Sequence, residues 1–158
     1  MQKAKRIIYL DHAATTPLCK EAFEKMTPYF CDCYGNADSP HGIGRRAMVA
    51  VDTARDEIAS LIGASPKEVY FTSGGTEADN WALVGGALAQ KGKRVIVSAI
   101  EHHAVLAAAD KLRSMGVKVD VLPVNDRGRV ELSVLKEMMD TDVGLVCVMY
   151  VNNETGDA

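Results

Sequence analysis

The sequence lacks the features that would direct a chain into or across a membrane. No apolar run reaches the roughly 20 residues needed to span a bilayer. The N-terminal segment MQKAKRIIYLDH passes from basic to acidic residues without the long apolar region or small-residue cleavage site of a signal peptide. A strong charge of one sign is also missing, because the net charge is -3 and Lys and Arg are dispersed among acidic residues. We therefore expect a cytoplasmic protein that acts on a small-molecule or protein substrate, without nucleic acid or membrane as a partner.

Cysteine is scarce, with four residues in a chain of 158. Cys31 and Cys33 form a C-x-C pair, but no second pair follows at the spacing of a zinc site. Cys147 lies in the apolar run VGLVCVMY, where a thiol packs as a small hydrophobic side chain. We expect these three residues and Cys19 to be free reduced thiols, as in a reducing compartment, and we expect no metal site.

From Val69 onward, segments typical of strands alternate with segments typical of helices. The composition, 47% hydrophobic and 25% charged, is that of a globular domain of ordinary size. Strands are predicted over 69–72, 94–98, 117–122 and 143–149, and helices over 76–90, 103–115 and 132–139, with a turn over 125–128. The strands show little polar alternation, which is typical of a parallel sheet covered by helices on both faces. The predicted fold class is therefore α/β.

Two of the predicted helices in this region have an apolar face that we expect to be buried. In the helix over 76–90 the expected face carries Trp81, Val84 and Leu88, with Gly92 just past the end. In the helix over 103–115 the expected face carries Val105, Leu106, Ala109 and Leu112, and Gly116 ends the helix.

The first 65 residues are organised differently. An extended segment, IIYLD, leads to a helix over 18–26, and the turn-rich loop CDCYGNADSPHGIG follows. A long amphipathic helix is predicted over 44–62, ending at Gly63. Its expected buried face carries Met48, Val51, Ala54 or Arg55, Ile58 and Leu61.

Polar residues follow three of the four predicted strands. The carboxyl ends of parallel strands meet at one edge of a sheet, which is where ligands bind in open α/β folds. The polar loops are Ser73–Thr76, Glu101–His103 and Asn152–Gly156, whereas PVNDRG after the third strand reads as a plain turn. This edge is the predicted ligand site.

The loop containing Ser73–Thr76 has the parts of an anion site. Gly74 and Gly75 let the backbone approach an oxyanion, Thr76 offers a hydroxyl, and the helix that starts there directs N–H groups at the same point. The loop matches neither G-x-x-x-x-G-K-[ST] nor G-x-G-x-x-G. A helix start without a ligand, with Ser73 or Thr76 as the cap and an acidic residue near the dipole, remains an equally good interpretation.

His102 and Asn153 are the other candidate binding residues. His102 lies at a helix start, where the dipole favours a neutral imidazole that can stack on a planar ring or pass a proton. The His102–His103 pair lacks the i+4 spacing of a helical metal site. Asn153 follows an apolar strand together with Asn152 and Glu154, where an uncharged amide donor can reach a phenolic or carboxylate oxygen. A solvent-facing helix start and a hydrogen-bonded turn, respectively, are the alternatives that stay open.

Five stretches of the chain together resemble the NifS/IscS-type cysteine desulfurases. They are YLDHAATTP (9–17), GNADSPHGIGRRA (35–47), FTSGGTEADN (71–80), EHHAVL (101–106) and VNNETG (151–156), in the order of the family. These enzymes are pyridoxal-phosphate-dependent members of the class V aminotransferase family, with the aspartate-aminotransferase-like fold. The resemblance implies that residues 1–14 contribute to a small domain and that 15–158 form the first part of the large domain that binds the cofactor.

The resemblance also implies roles for the candidate residues. Gly75 and Thr76 would bind the 5′-phosphate of pyridoxal phosphate, His102 would stack on the pyridine ring and assist proton transfer, and Asn153 would reach the phenolic oxygen and the substrate carboxylate. The family reaction converts L-cysteine to L-alanine and leaves the sulfur on an enzyme cysteine as a persulfide, for iron–sulfur cluster or other thio-cofactor synthesis. A homodimer and a sulfur-acceptor or scaffold protein are the implied partners.

The sequence departs from the family pattern in one respect. In the family, the Schiff-base lysine, the aspartate that pairs with the pyridine nitrogen and the persulfide-carrying cysteine lie beyond NNETG, and this chain ends two residues after that motif. We therefore expect a partial enzyme that needs the remaining C-terminal part, with an uncovered sheet edge and exposed apolar helix faces, and none of its own cysteines is expected to accept sulfur. A truncated, non-catalytic binding or dimerisation module and a selenocysteine lyase are the alternatives.

Overall fold

The computed structural model of the chain describes residues 7–90 and 93–157. The chain forms two compact units, Met1–Phe71 and Thr72–Ala158. Within the described residues, no helix combines the length and the apolar character needed to cross a membrane. The proposed division of the chain between residues 14 and 15 stays a prediction, as does the helix end at Gly92, which lies outside the described residues.

The first unit is helical. Its elements are α1 (Lys20–Met26), α2 (Pro28–Cys31), α3 (Gly42–Ile62) and a 3-10 turn (Pro66–Glu68). At the start of α3, the His41 side chain accepts a hydrogen bond from the N–H of Gly44. The helix ends at Gly63, whose φ of 69° lies in the left-handed region that terminates helices. The predicted long helix and its stop are confirmed.

The face of α3 that we expected to be buried is largely exposed, so this prediction was wrong. Leu61 is 86% exposed and Met48 43% exposed, and Val51 and Ile58 are also classed among the exposed side chains. The buried residues of the helix are Gly44 and Ala59. Apolar periodicity shows which side of a helix repels water, but burial requires another element to pack there. The elements of this unit leave that side mostly uncovered.

The second unit is built on a parallel sheet with the strand order β2-β1-β3. The strands are β1 (Arg94–Ser98), β2 (Val119–Leu122) and β3 (Val143–Cys147). Helix α6 (His103–Ser114) connects β1 to β2, and α7 (Leu132–Met138) connects β2 to β3. The central strand aligns Val95 with Val119 on one side and with Leu145 on the other. The predicted α/β class and the parallel arrangement are confirmed for these strands.

Residues 69–72 are not a strand, contrary to the sequence prediction. Val69 has extended backbone angles, but Tyr70 is 65% exposed and no strand within the described residues pairs with the segment. The Val69 carbonyl instead accepts a hydrogen bond from Nε of Arg55. An extended, β-branched and aromatic segment becomes a strand only when a neighbouring strand supplies the hydrogen-bond partners.

The helical run after the Ser73–Thr76 loop has three parts, α4 (Gly75–Asn80), a π-helical turn (Trp81–Gly85) and α5 (Gly86–Ala89). Leu83 and Ala87 are buried and Val84 packs partly buried against the core, whereas Trp81 is 52% exposed and Leu88 is also exposed, so the predicted face was wrong for Trp81 and Leu88. A π turn holds more residues than an α turn and therefore rotates the face that follows it. A Cβ on Gly85 would lie 3.3 Å from Cδ1 of Trp81, so the indole runs along the helix over this glycine.

The core of the second unit lies between the sheet and these helices. Buried and packed together are Leu83, Ala87, Val95, Val97, Val105, Ala108, Ala109, Leu112 and Val117. Most of the expected face of α6 is therefore buried, and Gly116 (φ 85°) follows the helix end as predicted. The turn over 125–128 is also confirmed, since the Gly128 N–H donates to the Asn125 carbonyl at 2.8 Å.

An ionic cluster closes the N-terminal end of β1. Arg94, whose side chain is 9% exposed, contacts Asp120 at 2.5 Å and Asp140 at 2.8 Å. It also donates to the Met138 carbonyl at 2.6 Å. A buried guanidinium requires such partners because an unpaired charge in the interior is strongly destabilising. The pKa of Asp140 is lowered, first by the N–H of Asp142 and then by Arg94.

Candidate functional site

The loops that follow β1 and β3 are joined by the carboxylate of Glu101, which is 8% exposed. Its Oε1 accepts a hydrogen bond from Oγ of Ser98 at 2.6 Å and from the N–H of Met149 at 2.7 Å. Ser98 is the last residue of β1, and Met149 follows the end of β3. Because the strands are parallel, both loops leave the same edge of the sheet. Glu101 therefore ties the two loops together at the edge where the sequence predicted a ligand site.

Asn152, also buried, makes a second connection between the same two loops. Its Nδ2 donates to the carbonyl of Ile100 at 3.2 Å. Its Oδ1 accepts from the N–H groups of Glu154 and Thr155, at 2.8 and 3.0 Å. An asparagine that bonds the backbone two residues on forms a turn of its own. Asn152 thus shapes the loop that carries Asn153 and attaches it to the loop that carries His102.

His102 is the N-cap of α6. Its Nδ1 accepts a hydrogen bond from the N–H of Ala104 at 3.1 Å, which satisfies one of the unpaired donors at the helix start. The side chain is exposed, and its ring centroid lies 6.3 Å from that of His103. The predicted place at a helix start is confirmed, and the capping contact uses Nδ1 and not Nε2.

Asn153 is exposed and lies beside Asn152 on the second loop. Its Nδ2 donates to Oε1 of Glu154 at 3.1 Å. Both side chains are at the surface, so the Asn153 amide can leave Glu154 and donate to a ligand oxygen instead. The structure therefore brings the loops of His102 and Asn153 together, as the sequence predicted.

The Ser73–Thr76 loop begins the helical run of α4, which packs against α6. The first backbone hydrogen bond of α4 joins the N–H of Ala78 to the carbonyl of Gly74 at 3.1 Å. The N–H groups of Gly75 and Thr76 precede this bond. A Cβ added to Gly74 or Gly75 would meet no atom within 4 Å, so the space on the Cβ side of these two glycines is open.

The sequence offered Ser73 or Thr76 as the cap of this helix, but the N-cap is Gly74, without a side-chain cap bond. Ser73 instead donates its N–H and its hydroxyl to Glu77 Oε2, both at 2.7 Å. These two contacts lower the pKa of Glu77, the hydroxyl having the larger effect. Within the part of the chain that the structure describes, no hydrogen bond links Ser73–Thr76 to the other two loops.

The Cys147 thiol is half-buried beneath this edge. Its Sγ lies 3.9 Å from Oε2 of Glu101, to which it donates a weak hydrogen bond. Burial, followed by the negative charges of Glu101 and Asp79, raises the pKa of this thiol to about 11. Because the thiolate is the nucleophile, Cys147 is unreactive near neutral pH. Cys19, Cys31 and Cys33 are exposed and free.

Glu101 was not assigned a role from the sequence, and Asn152 was considered only as an amide donor to a ligand, whereas its side chain holds the loops together. Polar residues directly after strands marked the loops, but nothing in the sequence separates a buried polar side chain from an exposed one. The signal that could have found them is position. Each directly precedes a candidate residue, His102 or Asn153, in a loop that follows a strand.

Comparison with known proteins identifies relatives across almost the whole chain. Residues 8–158 match the family described as Aminotransferase class-V. A cysteine desulfurase IscS of Dictyoglomus turgidum is 46% identical over 154 residues, which is 96% of this chain and 39% of the relative. The chain thus spans about two fifths of the length of this relative.

Solved structures give the same result. The chain superimposes on a NifS-like protein with a TM-score of 0.88 at 40% identity, covering 93% of this chain and 41% of the other. SspA in complex with cysteine gives a TM-score of 0.84 at 33% identity, covering 92% of this chain and 43% of the other. The fold is therefore that of the first part of these proteins.

Proposed function

Since the chain belongs to the aminotransferase class-V family, we propose that it supplies the N-terminal part of a pyridoxal-phosphate-dependent cysteine desulfurase. The observation that carries the proposal is the junction at the sheet edge, where Glu101 and Asn152 hold the loops of His102 and Asn153 side by side. Relatives named cysteine desulfurase and a structural neighbour in complex with cysteine support the substrate.

The residues present fit the cofactor. Gly75 and Thr76 offer backbone N–H groups ahead of the first helical hydrogen bond, a hydroxyl and open space, which together suit a phosphate. The exposed ring of His102 offers a face on which a pyridine ring can stack. When bound, pyridoxal phosphate withdraws electrons from the bonds around the substrate α-carbon.

We assign the remaining work on the substrate to two side chains. The Asn153 amide would donate to the phenolic oxygen of the cofactor and to the substrate carboxylate, and would so orient the amino acid. His102 moves a proton through Nε2, because Nδ1 is engaged by the N–H of Ala104. The products are L-alanine and a persulfide on an enzyme cysteine.

The thiol that accepts the sulfur and the lysine that holds the cofactor belong, in this proposal, to the remaining C-terminal part of the enzyme. Cys147 is unsuited as the acceptor because its raised pKa keeps it protonated. We further propose a homodimer in the cytoplasm that passes sulfur to an acceptor or scaffold protein for iron–sulfur cluster or other thio-cofactor synthesis.

The test uses the complete enzyme. Purified protein is expected to show the visible absorbance of lysine-bound pyridoxal phosphate and to form one alanine per cysteine consumed. Turnover of L-selenocysteine measured in parallel separates a desulfurase from a selenocysteine lyase, which would strongly prefer the selenium substrate. Absence of the visible band and of alanine would contradict the proposal and favour a non-catalytic binding or dimerisation module.

A further inference from the structure

The carboxylate of Glu101 accepts hydrogen bonds from three other residues. It is almost fully buried and receives hydrogen bonds from Ser98 Oγ, from the Met149 N–H and, weakly, from Cys147 Sγ. An ionised carboxylate only accepts hydrogen bonds, so a site with three donors suits it. The donors lie at the ends of two different strands, β1 and β3. The carboxylate therefore fixes the spacing of those two strand ends.

We propose that Glu101 is a positioning residue that sets the relative placement of His102 and Asn153. The inference rests on the proposed function for the roles of those two residues. Glu101 directly precedes His102, and its partner Met149 lies in the loop that leads to Asn153. The Asn152 amide, bonded to the Ile100 carbonyl, reinforces the same junction from the opposite loop.

The hydrogen bonds of Glu101 can be distinguished from contacts that only stabilise the fold. Arg94, which is buried to the same degree as Glu101, forms an ion pair with the partly exposed Asp120 at the other end of the same strand. Breaking that cluster destabilises β1 and β2 far from His102 and Asn153. Loss of the Glu101 junction, in contrast, frees the two loops at the site. Asp120→Asn is therefore a matched control, because it weakens a charged contact of the same strand without touching the edge with the loops.

The two ends can be compared by amide hydrogen exchange in the cofactor-free complete enzyme, measured by mass spectrometry on peptides covering 99–105 and 148–157. Glu101→Ala is expected to speed exchange in both peptides about tenfold or more, because it removes charge-assisted hydrogen bonds. Glu101→Gln keeps Oε1 as an acceptor for Ser98 and Met149 and is expected to stay within about threefold of the parent. Asp120→Asn should leave both peptides unchanged.

Turnover of L-cysteine provides the second readout. In the Glu101→Ala background, substitution of His102 should reduce kcat by a much smaller factor than in the parent, because His102 is already misplaced. Additive losses in kcat, or equal exchange in Glu101→Ala and the parent, would overturn the proposal.

If Glu101→Ala fails to fold, Ser98→Ala removes one donor with little change in volume, and unchanged exchange in that variant would overturn the proposal equally. If the parent enzyme does not turn over L-cysteine but the exchange results are as expected, the desulfurase function is contradicted and the role of Glu101 in joining the two loops is not.

Discussion

Thr76 places a hydroxyl in the first turn of α4, next to N–H groups that precede the first helical hydrogen bond. Replacement by valine keeps the shape of the side chain and removes the donor. In the complete enzyme we expect Thr76→Val to weaken retention of pyridoxal phosphate by about 1–3 kcal/mol, the loss of one charge-assisted hydrogen bond. Equilibrium dialysis with absorbance detection measures this. Thr53→Val is the control, because the Thr53 hydroxyl donates to its own helix at Val49. Equal affinity in both variants would refute the phosphate assignment.

His102 caps α6 and, in the proposed function, also moves a proton, and one substitution can separate the two roles. Alanine would remove the ring and the cap of α6 together, whereas asparagine is a good N-cap and keeps an acceptor for the Ala104 N–H. We expect His102→Asn to retain the stability of the complete enzyme and to lower kcat about 100-fold, the loss of a general acid–base group, a larger effect than the weaker cofactor binding that follows from the lost stacking. His103→Asn, at the neighbouring exposed ring, should leave kcat unchanged. A full rate in His102→Asn would remove His102 from the mechanism.

The Cys147 thiol should stand apart from the other cysteines in its reactivity. Its pKa of about 11 keeps it protonated at pH 8, whereas Cys19, Cys31 and Cys33 are exposed. Peptide mapping after iodoacetamide treatment at pH 8 should show these three modified first and Cys147 last. Because the pKa is raised on folding, its contribution to stability is complete below the ordinary value of 9.0 and is lost as the pH rises towards 11. Early modification of Cys147 would contradict this account.

At the level of residues, the sequence predicted where His102 and Asn153 lie in the fold but not the side chains that hold their loops. His102 was correctly placed at a helix start and Asn153 in a loop at the sheet edge. Hydrophobic periodicity shows where helices begin and strands end, and it can be read from the sequence alone. The burial of Glu101 depends on Met149, which is 48 residues away, and no local pattern contains that information.

Among the elements, α3 carries two first-turn glycines with different surroundings. A Cβ on Gly44 would lie 2.3 Å from the Ser39 carbonyl oxygen and 2.7 Å from that of Asn36, whereas one on Gly42 meets only Arg45 Nη2 at 3.9 Å. We expect Gly44→Ala to lower the free energy of unfolding by about 1–3 kcal/mol, because rigid backbone must move. Gly42→Ala should stay within about 0.5 kcal/mol of the parent. Urea unfolding followed by circular dichroism compares them, and equal stabilities would argue against the close approach at Gly44.

Elements with internal hydrogen bonds were predicted better than elements that depend on partners. The helices α3 and α6 contain their own bonds and their stop signals, Gly63 and Gly116. The segment 69–72 has strand-like residues but no pairing strand in the described chain, so propensity alone misled the prediction. Apolar periodicity assumes 3.6 residues per turn and gives no sign of the π turn at Trp81–Gly85. Because a π turn holds more residues, the side chains after it lie on a different face from the predicted one.

For the molecule as a whole, the main feature is apolar surface left uncovered. Leu61 and Ile62 at the end of α3 are 86% and 68% exposed, and Phe30 and Tyr150 are similarly open. A soluble chain rarely exposes large apolar side chains in such number. We expect the isolated 158-residue chain to bind a hydrophobic dye and to self-associate at micromolar concentration.

A substitution at the end of α3 tests whether this surface drives association. Leu61→Lys removes exposed apolar area and places a cation at a helix C-terminus, where it is tolerated. It should weaken self-association by about 1.5–3 kcal/mol, as judged by sedimentation equilibrium. Ser60→Lys adds the same charge without removing apolar area and serves as the control. Equal association of the two variants, or a monomeric parent without dye binding, would contradict the prediction.

The capping bond of His102 also makes a prediction about chemistry. Because Nδ1 must keep its lone pair to accept from the Ala104 N–H, the neutral ring is restricted to the Nε2–H tautomer. The fold of α6 thus selects which nitrogen carries the proton before any ligand arrives. The neutral ring therefore offers a donor at Nε2, whereas a proton accepted by the ring would have to displace the Ala104 N–H from Nδ1.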